Sequence, residues 1–278
     1  MNAFAYLAAT LVVAWAVLVV VAQLLNPEQS PLAMGMSGLA RGRAPWVMKS
    51  AFVCRGASAL LLLFALPSLL GTAALTLMGM AAFWLWGLCS ALLALSDTDL
   101  PGEPPSRAGS VHAVLALVAY VAGVAGAIAL SVVLFRGDDT RGLAVWALPL
   151  ALTAAAAMAV QFVAFGAAAR QAREAREAAA LAAAGSRRAE ASAAGPDAAA
   201  PAATPATAPA APPQLAGVPP QLAAGLAGSP GRPSPAGHGE GASVSLNDLA
   251  GYAGLFQRIF IGLLMAWTLL VALGVGRL

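Results

Sequence analysis

The chain has 278 residues, of which 60% are hydrophobic and 10% charged, with a formal net charge of +3. A soluble domain is about a quarter charged, so too little charge is present to cover a water-soluble fold of this length. The weak positive charge is largely arginine set beside apolar runs, which points to orientation in a membrane and away from nucleic acid.

Six long apolar runs follow in order: residues 3–25, 50–70, 72–95, 110–135, 143–168 and one within 251–278. Each approaches or exceeds about 20 residues, enough at about 1.5 Å per residue to cross roughly 30 Å of hydrocarbon. None alternates as a barrel strand does. Backbone polar groups in lipid must be satisfied within the segment, so the runs are predicted to be helices. The expected fold class is all-α, a polytopic bundle of about six spans. The N-terminus lacks a basic leader segment, so the first run is expected to be retained as a span. Asn26-Pro27 ends it, and Gly71 makes a tight turn between the second and third.

Residues 170–193 are rich in Ala with interleaved Arg and Glu, which predicts a helical extension of the fifth span. From 194 to 250 the chain is largely Ala, Pro and Gly. That composition predicts a long disordered loop between spans five and six. The echo of Pro212–Gly217 at Pro219–Ala224 reads first as drift in an Ala-rich linker, with a docking motif for a protein partner as the alternative.

An even number of spans puts both termini on one face, A. The opposite face, B, holds the loops 26–49, 96–109 and 169–250. Near the spans, face B carries Arg41, Arg43, Lys49, Arg107, Arg170, Arg173 and Arg176, whereas face A carries Arg136, Arg141 and Arg277. The Lys and Arg excess predicts a cytoplasmic face B and both termini outside a cell (inner) membrane of bacterial type.

The polar residues near the spans also gather at face B: Ser30, Arg55, Asp97, Asp99, His112, Gln161, Gln257 and Arg258. An ionisable group within a span costs about 2.5–3.5 kcal/mol unless paired or snorkelling. Arg55 and Arg258 are therefore expected to seek the carboxylates of Asp97 and Asp99. Ser30, Arg55, Asp97, Asp99, His112, Gln257 and Arg258 form the candidate ligand-binding set. Cys54 and Cys89 read as buried small hydrophobes. No catalytic set, metal site or cofactor motif is expected: Asp97-x-Asp99 with His112 is a sparse donor set, and Ser30 has no base beside it.

Three motifs carry a family likeness: Ser30-Pro31-Leu32 through Gly38 to Pro45-Trp46-Val47-Met48; Ser96-Asp97-Thr98-Asp99 followed by Gly109 and His112; and Gly254-Leu255-Phe256-Gln257-Arg258-Ile259 with Trp267. In these the chain resembles the domain-of-unknown-function 998 (DUF998) family of multi-span membrane proteins. The resemblance covers roughly residues 1–168 and 250–278. It implies a bundle with its polar residues at one membrane level, and no activity. A more distant likeness to eukaryotic membrane proteins of the FRAG/DRAM type implies a first loop that faces outward.

The expected function is non-catalytic binding of a lipid head group or a partner protein at the face-B cluster. The alternative is a membrane-embedded enzyme acting on lipids through His112 and Asp97 or Asp99. A small-solute transporter ranks third, because the middles of the spans are almost wholly apolar.

Overall fold

The computed structural model describes residues 2–100, 103–193 and 246–278. The chain divides into two compact units, Met1–Arg176 with Val244–Leu278, and Glu177–Ser243. Six helices among the described residues are long and apolar enough to cross a membrane, and none of those residues forms a strand. The protein is a multi-pass helical membrane protein.

Helix α1, Ala3–Leu25, is capped by the Asn2 side chain, which accepts from the Ala5 N–H. Its buried face runs through Ala5, Ala8, Val12 and Trp15, and its opposite face exposes Val13, Val17, Val20 and Leu24. A helix apolar all round, with several alanines inward and large aliphatic residues outward, is the pattern of a span that packs on one side and meets lipid on the other. Asn26 ends α1. Fully buried, it donates to the Ala22 carbonyl at 2.8 Å and accepts from the Arg43 N–H at 2.7 Å, so it ties the two ends of the first loop together.

Within that loop lies a 3-10 helix, Met36–Arg41. Helix α2, Pro45–Ala65, begins five residues before the sequence-predicted boundary. Pro45 stands in its first turn, where a fixed φ and a missing N–H cost nothing. Pro67 restarts the chain as the short α3, Pro67–Leu70, and Gly71 reverses it at φ +63, a conformation that a side chain would oppose.

Helix α4, Ala74–Leu92, runs into a 3-10 turn at Leu93–Leu95. Helix α5 is Arg107–Arg136, and α6 is Arg141–Ala193. The stretch predicted to be a disordered loop lies outside the described residues from 194 to 245. Its last five residues form a short helix, α7, Leu246–Ala250. Helix α8, Ala253–Arg277, completes the bundle.

Helix α2 packs against α1, α4 and α8, while α4 also packs on α5 and α1 on α8. Gly56 and Gly87 let α2 and α4 approach closely: a Cβ on Gly56 would stand 2.5 Å from the Gly87 carbonyl oxygen. In lipid, tight backbone packing replaces the hydrophobic drive between helices. Phe83 joins the centre, its ring 4.6 Å from Trp86 and 5.1 Å from Trp267, and the Trp267 indole donates to Ser131 Oγ at 2.9 Å.

Candidate functional site

At face B the first loop is fastened to the start of α8. Arg258 lies in the second turn of that helix. Its Nη1 donates to the carbonyls of Pro31 at 2.7 Å, Met34 at 2.8 Å and Gly254 at 3.2 Å, and its Nη2 donates to Gln23 Oε1 at 2.8 Å. The Leu255 N–H donates to the Leu32 carbonyl at 2.9 Å. The expected pairing of Arg258 with Asp97 or Asp99 is therefore corrected. A guanidinium has five donors in a fixed fork, and here those of Nη1 and Nη2 go to two carbonyls of the first loop, one of α8 itself and the Gln23 side chain of α1.

The two aspartates have other partners. Asp97 Oδ1 is 2.8 Å from Lys49 Nζ, and both side chains are part-exposed. That hydrogen bond holds the Asp97 carboxyl below its ordinary value of 3.8, with the charges of Lys49, Arg41 and His112 adding to it. Asp99 accepts from Ser106 twice, from Oγ at 2.6 Å and from the backbone N–H at 2.9 Å, and its carboxyl is lowered by those two bonds. Ser106 in turn caps α5, its Oγ accepting from the Gly109 N–H at 2.9 Å. Asp99 thus supports a helix cap. Arg41 and Arg176 both reach Glu103, Arg41 at a carboxylate oxygen 3.0 Å away and Arg176 at the backbone carbonyl 2.9 Å away.

Inside this frame is a cavity of about 550 Å³, bounded by the first loop, the loop before α5, and the face-B ends of α5, α6 and α8. Ala116, Leu117, Phe162 and Phe165 give it apolar walls, and His112, Tyr120, Gln161 and Gln257 supply polar groups. Gln257 Oε1 accepts from the Met36 N–H at 2.6 Å, while its Nε2 donates to the Tyr120 hydroxyl at 2.8 Å. His112 Nδ1 is 2.8 Å from the Ser96 carbonyl oxygen. A carbonyl only accepts, so Nδ1 carries the proton. Nε2 of His112 and Oε1 of Gln161 are buried and lack a hydrogen-bond partner.

Arg55 stands behind this cavity and does not line it. It is 1% exposed, and its Nε and Nη2 have no hydrogen-bond partner. Its guanidinium carbon lies 5.4 Å from the Phe52 ring centre, and Phe52 meets His112 edge-on at 6.1 Å. Its charge is felt by both His112 and Tyr120. The expected carboxylate partner is again corrected: no ion pair among the described residues includes Arg55, because Asp97 and Asp99 are held nearer the surface by Lys49 and Ser106.

Of the seven candidate residues, Asp99, His112 and Gln257 line the cavity, and Arg55 lies one layer behind. Asp97 is a surface ion pair, Arg258 a loop fastener, and Ser30 an exposed loop residue whose carbonyl accepts from the Met34 N–H. Tyr120 escaped the sequence reading. It lies eight residues after His112, two helical turns along the same face, and that spacing was the available signal. Gln161 was visible as a polar residue but not as a wall of the cavity. No group of three His, Cys, Asp or Glu close enough for a metal occurs among the described residues.

A family described as "Protein of unknown function (DUF998)" matches residues 8–194, which take in the first five spans and the helix beyond them. No curated protein matches the chain, and no solved structure does. The match covers more than half of the sequence and stops short of α8, whose Gln257 and Arg258 hold the first loop in place; the chain belongs to the DUF998 family.

Proposed function

We propose that this protein is a non-catalytic membrane protein whose face-B cavity binds a lipid head group. The observation that carries the reading is the cavity itself: about 550 Å³, walled mainly by apolar side chains, with buried His112 and Gln161 atoms that lack partners. Buried polar atoms are nearly always satisfied, so such orphans mark the place of a missing partner. Ligand sites combine apolar walls with a few convergent polar groups. Leu117 and Phe162 line the cavity within the spanning segments, a depth that suits an amphiphile. The binding set becomes His112, Tyr120, Gln161 and Gln257, with Arg55 supplying positive charge from behind.

The experiment is mass spectrometry of lipid retained by the protein after detergent purification. Gln161→Leu and Arg55→Met should each reduce retained lipid, while the surface variant Asp97→Asn should not. Equal lipid in all four proteins would overturn the proposal.

A lipid-acting enzyme is the second reading, favoured by one observation. The Ser96 carbonyl orients the His112 ring so that Nε2 is the free base of the cavity, which is how a general base is held. Among the described residues the carboxylates lining the cavity are Asp99 and Glu103, and both are engaged, by Ser106 and by Arg41. Turnover of a lipid substrate that is lost in His112→Ala would decide for this reading.

The orientation proposed is a cytoplasmic face B in a cell membrane, with both termini outside. Support comes from the Lys and Arg excess beside the face-B ends of the spans. Reporter fusions at each terminus test it, and a cytoplasmic reporter signal at the N-terminus would reverse it.

A further inference from the structure

We infer that the head group read by this cavity is a hydroxyl donor, such as a glycerol or sugar alcohol carried on a lipid, recognised through acceptors at His112 and Gln161. The inference rests on the lipid-binding reading and specifies its ligand.

The argument starts from what the unsatisfied atoms need. The Nδ1–H of His112 is committed to the Ser96 carbonyl. With the proton on Nδ1, Nε2 of the neutral ring can only accept. Gln161 Oε1 is a second buried acceptor without a partner. Both atoms belong to residues at most 3% exposed that line the cavity. The complement of two acceptors is a ligand with hydrogen-bond donors.

The charge background then selects among donors. A phosphodiester has none and would leave both acceptors empty, at the cost that burying an unpaired polar atom always carries. An ammonium group has donors but brings a positive charge. Arg55 is buried without a carboxylate partner among the described residues, and its charge reaches His112 and Tyr120. At low effective dielectric like charges repel strongly, so an ammonium head is disfavoured. A hydroxyl supplies the donor without the charge.

Tyr120 completes the match. Its oxygen accepts from Gln257 Nε2 at 2.8 Å and also bonds the Gln161 side chain, whose Oε1 stays open, so its own O–H proton is turned away from Gln257. A ligand hydroxyl can therefore donate to an acceptor and also accept from the phenol. The apolar walls at Leu117, Phe162 and Phe165 favour a lipid as the carrier of the hydroxyl over a free polyol.

The test measures binding to the full chain in detergent at about pH 8 with matched probes. Phosphatidylglycerol and phosphatidylmethanol carry the same phosphate charge and differ in hydroxyls. Diacylglycerol has a hydroxyl and no phosphate, and phosphatidylethanolamine has an ammonium and no hydroxyl. Phosphatidylglycerol and diacylglycerol should bind, with phosphatidylmethanol and phosphatidylethanolamine weaker by about tenfold or more, the ratio expected when buried acceptors lose their donor. Gln161→Leu should narrow that ratio, and so should His112→Phe, which keeps the ring but not the acceptor.

Phosphatidylmethanol binding as tightly as phosphatidylglycerol would mean that the phosphate is read; the hydroxyl inference then fails while lipid binding stands. Binding by none of the lipids would remove the lipid reading itself. Free glycerol competing as well as phosphatidylglycerol would overturn the lipid as carrier.

Discussion

Gln257 and Tyr120, 137 residues apart in sequence, are joined by a 2.8 Å hydrogen bond at the base of the face-B cavity. The same amide accepts from the Met36 N–H at 2.6 Å. One side chain of α8 therefore fixes both the first-loop 3-10 helix and the cavity-facing phenol of α5.

Gln257→Leu keeps the volume and removes both bonds. Met36 is 2% exposed, so its N–H would be left buried without an acceptor. An unsatisfied buried group costs about 1–3 kcal/mol, and two groups are disturbed, so a loss of about 2–4 kcal/mol is expected. Thermal melting in detergent would show it, with faster proteolysis between residues 36 and 41. An unchanged melting temperature would mean that water replaces the amide.

Arg258→Ala should also loosen the first loop, by a different route. It removes four donated bonds, three of them to backbone carbonyls. Hydrogen bonds from charged groups contribute about 1.5–3 kcal/mol each, but this residue is half-buried and water can replace part of them, so a net loss of about 2–3 kcal/mol is expected. Arg258→Lys should restore less than half of it, because an ammonium cannot span the positions that the guanidinium fork reaches. Full rescue by lysine, read from the same melting curves, would show that charge alone matters.

The spans were legible because lipid imposes a length and a polarity that composition reports directly. Asn26-Pro27 and Gly71 marked their breaks for local steric reasons. The start of α2 was misplaced because Lys49 looked like a boundary; it lies in the helix and extends to Asp97 at the surface. His112 and Gln257 were legible as polar residues at helix ends. The partners of Arg258 were not, because backbone carbonyls carry no residue-type signal. Tyr120 was hidden for the opposite reason: an aromatic within an apolar run reads as packing until the fold places it beside a cavity.

Acid should destabilise the α5 cap through Asp99. Its two bonds from Ser106 lower the carboxyl from the ordinary 3.8. A group lowered in the folded state stabilises at pH above its unfolded value, and that contribution is lost as pH falls through the lower folded value. Melting temperature should therefore hold from about pH 6 down to about 4 with respect to this group and drop below that. Asp99→Asn should melt lower at neutral pH and show a flatter acid slope. An identical slope in the variant would assign the acid transition to other carboxylates, of which Asp97 is the first to substitute.

The contact between α2 and α4 should tolerate no added atom at Gly56. A Cβ there would meet the Gly87 carbonyl oxygen at 2.5 Å and the Ala91 backbone nitrogen at 2.8 Å, and neither can move without its helix. Gly56→Ala should therefore push the helices apart at an overpacking cost of about 1–3 kcal/mol. Gly166→Ala is the matched control, since nothing lies within 4 Å of its added Cβ. Alanine there should be neutral or stabilising by up to about 1 kcal/mol, the helix-propensity gain over glycine. Because α2 also carries Arg55 beside His112, the displaced helix should weaken lipid retention in Gly56→Ala and leave it intact in Gly166→Ala. Equal melting temperatures for the two variants would mean that α2 and α4 are less tightly packed than these distances require.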